Sequence, residues 1–142
     1  MIQIKRLNKK IELPCYGTGE SVGMDCYVSK NTVIPAKSHT MIPLGIVVKA
    51  PPGTFTGLLS RSSTFKKYGL MLTNSLGIID PDYCGEEDEI YASVYNTNPY
   101  DTYVMEGERL FQLVVFNAIR PEIVEVEKMS EESRGGFGST GV

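Results

Sequence analysis

The chain has 142 residues, of which 42% are hydrophobic and 22% are charged, so the sequence predicts one folded domain with its own core. Its net charge of -3 argues against a general nucleic-acid-binding protein, because such proteins usually carry a basic face. No apolar run approaches the roughly 18 residues that a membrane span needs, and no apolar signal core follows the basic start, so we expect neither membrane insertion nor export.

Short apolar runs rich in Val, Ile, Tyr and Thr recur along the chain, and Pro or Gly separates them. Many short strands with frequent turns are typical of an all-β sandwich or barrel. In chain order, the predicted strands cover residues 40–42, 45–48, 54–59, 70–72, 77–79, 90–95, 102–104, 110–116 and 123–126.

One short helix is predicted over residues 64–68, with Ser62 and Ser63 as N-cap residues and Gly69 as its C-terminal stop. The last residues form a different segment, since they are rich in glycine and cannot hold a strand by propensity. We therefore predict a domain over residues 1–130 and a flexible arm over residues 131–142.

Two segments carry residue types that bind anions. Arg61 stands among hydroxyls where a strand gives way to the helix, and this arrangement suits either a phosphate or a capped helix with a solvated arginine. In the arm, glycine N–H groups, the hydroxyls of Ser139 and Thr140 and the charge of Arg134 could cradle phosphate oxygens. Phe137 could stack on a flat ligand, whereas the alternative for the whole arm is a frayed C-terminus.

Two further segments carry polar residues beside apolar strands. Asp80 follows a strand and could take a proton from water, with Tyr83 folded over the same point, although these residues also fit a simple turn. Arg109 and Gln112 interrupt a very apolar strand, and a buried Gln needs partners, which could be backbone groups or a ligand phosphate. Asp25 interrupts a small strand-like run and by itself indicates little.

The three cysteines, Cys15, Cys26 and Cys84, form no C-x-x-C pair, so we expect reduced thiols and a cytoplasmic protein rather than a disulfide framework or a zinc site. The single histidine, His39, excludes mechanisms that need two, and we expect it at the surface beside a strand.

From about Gly23 to its end, the chain resembles the trimeric, all-β dUTP diphosphatase (dUTPase) family, whose five motifs all have counterparts in the same order. The counterparts are Val22-Gly23-Met24-Asp25-Cys26 for A-G-x-D-L, Ser60-Arg61-Ser62-Ser63 for P-R-S-G, residues 74–86 for N-x-x-G-x-I-D-x-D-Y-x-G-E, residues 107–113 for G-x-R-x-x-Q-L, and residues 134–141 for R-G-x-G-G-F-G-S-T-G. Compared with the family pattern, about three extra residues within 84–89 lengthen the hairpin after Tyr83.

The resemblance implies a β-clip or distorted jelly-roll barrel that forms a homotrimer with active sites at subunit interfaces. The first, second and fourth motifs would come from one chain, the third from its neighbour, and the arm from the remaining chain. It further implies hydrolysis of dUTP to dUMP and diphosphate by water attack on the α-phosphorus, with Mg2+ held mainly by the triphosphate. This reaction limits uracil incorporation into DNA and supplies dUMP for dTMP synthesis.

The resemblance also assigns residue roles. Asp80 would deprotonate the attacking water, Tyr83 would pack on the deoxyribose, and the strand at Tyr91 would read the uracil edge through its backbone. Phe137 would stack on uracil, and Asp25 would hold a water of the Mg2+ shell. The full substrate-binding set is Arg61, Ser62, Ser63, Asn74, Gly77, Ile79, Tyr83, Tyr91, Arg109, Gln112, Arg134, Phe137, Gly138, Ser139 and Thr140.

Two alternatives stay open at this point. The dCTP deaminases share the fold, and Arg61-Ser62-Ser63 fits their R-S-S pattern, but Ser93 stands where their catalytic glutamate is expected and the arm has the dUTPase form. The second alternative is a non-catalytic nucleotide-sensing module on the same fold, against which the presence of Asp80 argues.

Overall fold

The computed structural model describes residues 1–133 and 135–136. Within these residues the protein is almost entirely β, with twelve strands and one short helix, which confirms the all-β prediction. The elements are β1 (Gln3–Arg6), β2 (Cys15–Tyr16), β3 (Met24–Cys26), β4 (Thr32–Ile34), β5 (His39–Pro43), β6 (Ile46–Lys49), β7 (Thr54–Ser60), α1 (Thr64–Tyr68), β8 (Leu70–Leu72), β9 (Gly77–Ile79), β10 (Tyr91–Asn96), β11 (Thr102–Val104) and β12 (Phe111–Asn117).

The largest sheet has five antiparallel strands in the order β2-β3-β12-β7-β9. A three-stranded sheet has the order β5-β10-β8, and two pairs, β1-β6 and β11-β4, complete the fold. The core between the sheets is built from buried aliphatic side chains and from Phe111, which is fully buried. In the five-stranded sheet, β12 and β7 separate β3 from β9. β3 carries Asp25, which is predicted to contact Mg2+ through water, and β9 carries Gly77 and Ile79, which are predicted to bind substrate.

The alternation of buried and half-buried side chains along β12 explains why Gln112 points away from the core. Phe111 and Leu113 are fully buried, whereas Gln112 between them is half-buried, because successive side chains of a strand point to opposite faces. The register places Gln112 opposite Asp25 of β3. Two polar residues that lie far apart in the sequence therefore become neighbours in the sheet.

The helix α1 has its predicted bounds and its predicted C-terminal stop, but it lacks the capping hydrogen bond expected at its N-terminus. Gly69 is left-handed, with φ of 64°, and its N–H donates to the oxygen of Phe65 at 2.8 Å. A Cβ at this position would lie 2.4 Å from the Asn98 side chain, so glycine is required there. Ser63 occupies the N-cap position, but its side chain makes no capping hydrogen bond. No helix in the described part of the chain is long and apolar enough to cross a membrane.

The predicted strand at residues 123–126 is wrong, since the structure has no strand there. Ile123 is 95% exposed and Val126 is 56% exposed. Its residue types suit a strand, but a strand also needs a neighbour to complete its hydrogen bonds, and the described part of this chain supplies none.

All three cysteines are free thiols, as the sequence predicts. Cys26 of β3 is fully buried, and burial raises the pKa of its thiol to about 12. It therefore stays protonated at neutral pH and belongs to the core. His39 begins β5 and is exposed, as expected, with Nε2 2.8 Å from the Ser93 hydroxyl on the neighbouring strand.

Candidate active site

The structure gathers many of the predicted site residues into two pockets. The first, here called the β9 pocket, has a volume of about 320 Å3 and is lined among others by Asn74, Gly77, Ile79, Asp80, Tyr83 and Tyr91. The second, the β3 pocket, has a volume of about 290 Å3 and is lined among others by Asp25, Arg61, Ser62 and Gln112. The two pockets share no lining residue.

The β9 pocket is formed by a strand and the turn that follows it. In the register between β9 and β7, Gly77 lies opposite Leu58, and a Cβ on Gly77 would come 3.3 Å from the Leu58 Cβ. Asp80 follows the last residue of β9 with an exposed side chain. The N–H of Tyr83 donates to the Asp80 carbonyl oxygen at 3.1 Å. The turn reading of this segment is thus correct, and the turn itself brings Tyr83 and Asp80 to one pocket.

The two tyrosines of the β9 pocket both donate to Glu89. The Tyr83 hydroxyl donates to the backbone oxygen of Glu89 at 3.0 Å, and the Tyr91 hydroxyl donates to Glu89 Oε2 at 2.8 Å. The hydrogen bond from Tyr91 to the Glu89 carboxylate, together with the negative charge of that carboxylate, raises the pKa of the Tyr91 phenol. Glu89 is not among the site residues predicted from the sequence, because it ends the acidic run 86–89, and such a run is typical of a solvated surface.

The β3 pocket is organised by a buried carboxylate between two arginines. Asp25 is 7% exposed, and its Oδ1 lies 2.9 Å from Arg61 Nε while its Oδ2 lies 3.4 Å from Arg109 Nη1. Arg61 Nη1 also donates to the backbone oxygen of Arg109 at 2.9 Å. Two guanidinium groups against one carboxylate leave a net positive charge, which suits an anionic ligand.

Gln112 completes the β3 pocket through a close contact with Gly23. Its Nε2 donates to the backbone oxygen of Ser60 at 3.1 Å, so a backbone group satisfies this part of the amide, as one of the two sequence readings expected. A Cβ on Gly23 would lie 2.1 Å from Gln112 Oε1. Glycine at position 23 therefore leaves the space in which the Gln112 amide lies.

The remaining predicted residues lie beside the β3 pocket, outside both pockets, or outside the described part of the chain. Arg109 reaches the β3 pocket through its contact with Asp25, whereas Ser63 lies at the start of α1 and outside the lining of both pockets. The predicted residues of the arm lie outside the described residues; they are Arg134, Phe137, Gly138, Ser139 and Thr140.

Comparison with known proteins decides the family. The sequence model of the dUTPase family matches residues 9–141. The chain belongs to the dUTPase family. A similar dUTPase relative is the deoxyuridine 5'-triphosphate nucleotidohydrolase of Caldanaerobacter subterraneus, which is 36% identical over 149 residues and matches 100% of this chain and 98% of its own length.

Solved dUTPase structures have the same fold. The dUTPase from Streptococcus mutans superposes with a TM-score of 0.77 at 28% identity, covering 84% of this chain and 98% of its own. A G164S mutant dUTPase of Staphylococcus bacteriophage 80alpha, solved with dUpNHpp, gives a TM-score of 0.87 at 24% identity and covers 100% and 99% of the two chains. These findings confirm the predicted family and the predicted fold, and they favour dUTPase over the dCTP deaminase alternative.

Proposed function

We propose that the protein hydrolyses dUTP to dUMP and diphosphate. One observation carries the proposal: in a chain of the dUTPase family, the exposed carboxylate of Asp80 lines the same pocket as Asn74, Tyr83 and Tyr91. This pocket combines a candidate general base with apolar and aromatic walls, which suit a nucleoside.

In the proposed reaction, Asp80 orients a water and takes one of its protons as the water oxygen bonds to the α-phosphorus. The bond between the α-phosphorus and the leaving diphosphate oxygen breaks, and dUMP and diphosphate are released. Negative charge on the phosphates must be stabilised as the reaction proceeds. In this proposal Arg61 and Gln112 of the β3 pocket provide this stabilisation together with Arg109, which contacts Asp25 of the same pocket, and Ser62 is an additional hydroxyl donor.

The β9 pocket would take the uracil and the deoxyribose. Tyr83 packs on the sugar in this proposal, at the place that a 2′-hydroxyl would occupy. The backbone at Tyr91 reads the uracil edge, with Asn74, Gly77 and Ile79 forming the remaining contacts. A backbone edge with one donor beside acceptors fits uracil and disfavours cytosine, whose exocyclic amine reverses the pattern.

We include Mg2+ as the proposed cofactor, held mainly by the triphosphate. Among the described residues, no group of three or more His, Cys, Asp or Glu side chains could hold a metal ion, which is consistent with an ion held mainly by the substrate. Both oxygens of Asp25 face arginines, and a contact between Asp25 and the metal would therefore run through water. When bound, the ion would neutralise phosphate charge.

The proposed assembly is a homotrimer with shared sites. Three features support it. The pockets share no lining residue, and β12 and β7 separate the strands that carry them. A third feature is the segment 118–133, which exposes aliphatic side chains that a neighbouring chain would cover. These include Ile119 (91% exposed), Ile123 (95%), Val124 (69%) and Met129 (74%).

In this assembly the domain over residues 1–130 would form the barrel. The arm over residues 131–142 would close the site, with Arg134 and residues 138–140 on the phosphates and Phe137 on uracil. The three free thiols fit a reducing compartment, which supports the proposed cytoplasmic location.

The test is diphosphate release from dUTP, UTP, dTTP and dCTP in the presence of Mg2+. We expect strong preference for dUTP, and we expect Asp80→Asn to lower turnover by at least ~10²-fold, the lower range for loss of a general base, while dUTP still binds. Glu87→Gln, which changes an exposed carboxylate of the loop between β9 and β10, is the control and should keep the parent rate. A parent protein that does not hydrolyse dUTP, or an Asp80→Asn variant with full turnover, would contradict the proposal.

A further inference from the structure

Glu89 connects both tyrosines of the β9 pocket to one turn of the fold. Its backbone oxygen accepts from the Tyr83 hydroxyl at 3.0 Å and its Oε2 accepts from the Tyr91 hydroxyl at 2.8 Å. Its second carboxylate oxygen, Oε1, accepts from the backbone N–H of Gly45 at 2.8 Å. One half-buried residue therefore receives three hydrogen bonds from three separate parts of the chain.

The anchor of this network is a turn with little freedom to move. Gly45 has φ of 64° and lies between β5 and β6, and a Cβ there would come 2.6 Å from the Cβ of Ser29. The next residue after Glu89 is also fixed, since Ile90 is 2% exposed. Its N–H donates to the backbone oxygen of Ile46, and its own oxygen accepts from the N–H of Leu44, both at 3.0 Å. Glu89 is thus held through its side chain and through the residue that follows it.

The tyrosine rings are less constrained than their anchor. Tyr83 and Tyr91 are each 44% exposed, so packing alone does not fix their orientation. Hydrogen bonds to a charged acceptor are stronger than those between neutral groups, which makes the carboxylate of Glu89 the firmest polar contact of Tyr91. If Glu89 lost its hold on Gly45, its backbone oxygen would be freer to shift, and the hydroxyl of Tyr83 would shift with it.

We propose that Glu89 is a positioning residue that fixes the rings of Tyr83 and Tyr91 and thereby sets the discrimination between deoxyribose and ribose. This inference rests on the proposed function, in which the Tyr83 ring occupies the space of a 2′-hydroxyl. Exclusion of one hydroxyl requires a ring that cannot swing aside, and the hydrogen bond from Tyr83 to Glu89 supplies that constraint.

The location of Glu89 gives the segment 84–89 a role. The sequence predicts a lengthened hairpin here, but β9 and β10 lie in different sheets, so the segment is a loop between them. This loop is tied to β1 because Lys5 Nζ donates to the backbone oxygen of Glu86 at 2.8 Å and pairs with its carboxylate. The added length therefore forms an attached loop, and its last residue reaches the turn at Gly45.

The experiment compares kcat/KM for dUTP with kcat/KM for UTP in the full chain. In Glu89→Ala the Tyr83 hydroxyl keeps its acceptor, the backbone oxygen of residue 89, but that residue loses its side-chain bonds with Gly45 and Tyr91. We expect the dUTP/UTP ratio to fall by about fivefold, within the range for one lost hydrogen bond, because the acceptor of Tyr83 is then less firmly held. Glu89→Gln should keep the ratio within about threefold of the parent, because its amide oxygen can accept from Gly45 and its NH2 can donate to the Tyr91 oxygen. Glu87→Ala, which removes an exposed acid from the same run, should leave the ratio unchanged.

A second measurement separates the network from the activity. Titration of 13C-labelled tyrosine by NMR should show a lower pKa for Tyr91 in Glu89→Ala than in the parent, since the accepting carboxylate is gone. A parent-like dUTP/UTP ratio in Glu89→Ala would overturn the inference and leave the proposed function intact. A parent protein that does not turn over dUTP would instead overturn the proposed function itself.

A further variant tests the hydrogen bond of Tyr83 directly. If Glu89→Ala does not fold, Tyr83→Phe removes only the hydroxyl that Glu89 holds and keeps the ring. A fall of about fivefold or more in the dUTP/UTP ratio is expected, because one hydrogen bond to the backbone is lost. An unchanged ratio in Tyr83→Phe would contradict the inference.

Discussion

Single atoms decide the geometry of the β3 pocket. The Gln112 amide lies so close to Gly23 that a methyl group at position 23 would clash with it. A Cβ there would lie 2.1 Å from Gln112 Oε1 and 2.9 Å from its Cδ. These atoms are the far end of a flexible side chain, so the amide can move away without disturbing the core. A methyl group at position 23 should therefore change the site more than it changes the stability of the protein.

We expect Gly23→Ala to keep the melting temperature within a few degrees of the parent and to lower kcat/KM for dUTP by about tenfold, through loss of the Gln112 contact to Ser60. The check is a double-mutant cycle with Gln112→Ala. In the Gln112→Ala background, Gly23→Ala should cost nothing further. Gly19→Ala, where a Cβ meets nothing within 4 Å, is the control. Additive losses in the cycle would mean that the methyl group acts elsewhere.

Site residues that belong to a recognisable sequence motif could be predicted. Residues whose role depends on a contact with a distant part of the chain could not. Asp80 and Tyr83 follow from their spacing after a strand, and the structure places both in one pocket. Glu89 was not visible, because its partner Gly45 lies in a different part of the chain and its own neighbours are acidic. The steric role of Gly23 was likewise hidden, since only the register of β3 against β12 brings it beside Gln112.

At the scale of elements, strands were predicted best where glycine or proline lies close to them in the sequence. Strands β8, β9 and β11 have the predicted bounds, and glycine or proline lies close to each of them in the sequence. The helix α1 also has its predicted bounds, with Gly69 at its end. The strand predicted at residues 123–126 failed because strand formation depends on a partner, and residue types describe only one side of the pair.

The exposed segment 118–133 provides a prediction at this scale. If Ile123 and Val124 pack on a neighbouring chain, the paired substitution Ile123→Asp and Val124→Asp should place charges in that contact and dissociate the oligomer. Light scattering after size exclusion should then show a smaller species with little dUTP turnover. The paired substitution Glu122→Gln and Glu125→Gln alters exposed acids of the same segment and should keep the parent mass. An aspartate variant of parent mass and activity would remove this segment from the assembly.

At the scale of the whole molecule, the two pockets raise the question of how one substrate could use both. In the order β2-β3-β12-β7-β9, three strand spacings separate β3 from β9, or roughly 14 Å within the sheet. The proposed homotrimer answers the question by joining the β3 pocket of one chain to the β9 pocket of its neighbour. We call each pairing of a β3 pocket with the β9 pocket of the neighbouring chain a joint. In a closed ring of identical chains, every joint is the same.

Subunit complementation tests this arrangement. Arg61→Gln weakens the β3 pocket and Asp80→Asn weakens the β9 pocket, so each variant alone should have little dUTP turnover. When the two are unfolded together in equal amounts and refolded, random mixing should give about one quarter of the joints an intact Arg61 from one chain and an intact Asp80 from the other. Diphosphate release should therefore recover to roughly a quarter of the parent rate.

Controls define what that recovery means. Each variant refolded alone reports its own residual turnover, and the two folded proteins mixed without denaturant should show no recovery while their subunits do not exchange. Mass spectrometry of the intact assemblies, with one variant isotopically labelled, should confirm that mixed species have formed. If mixed assemblies form and turnover stays at the level of the single variants, Arg61 and Asp80 must act within one chain, since no joint between chains could then contain an intact site. Recovery near one quarter would instead mean that each site takes its general base from one chain and its phosphate-binding arginine from another.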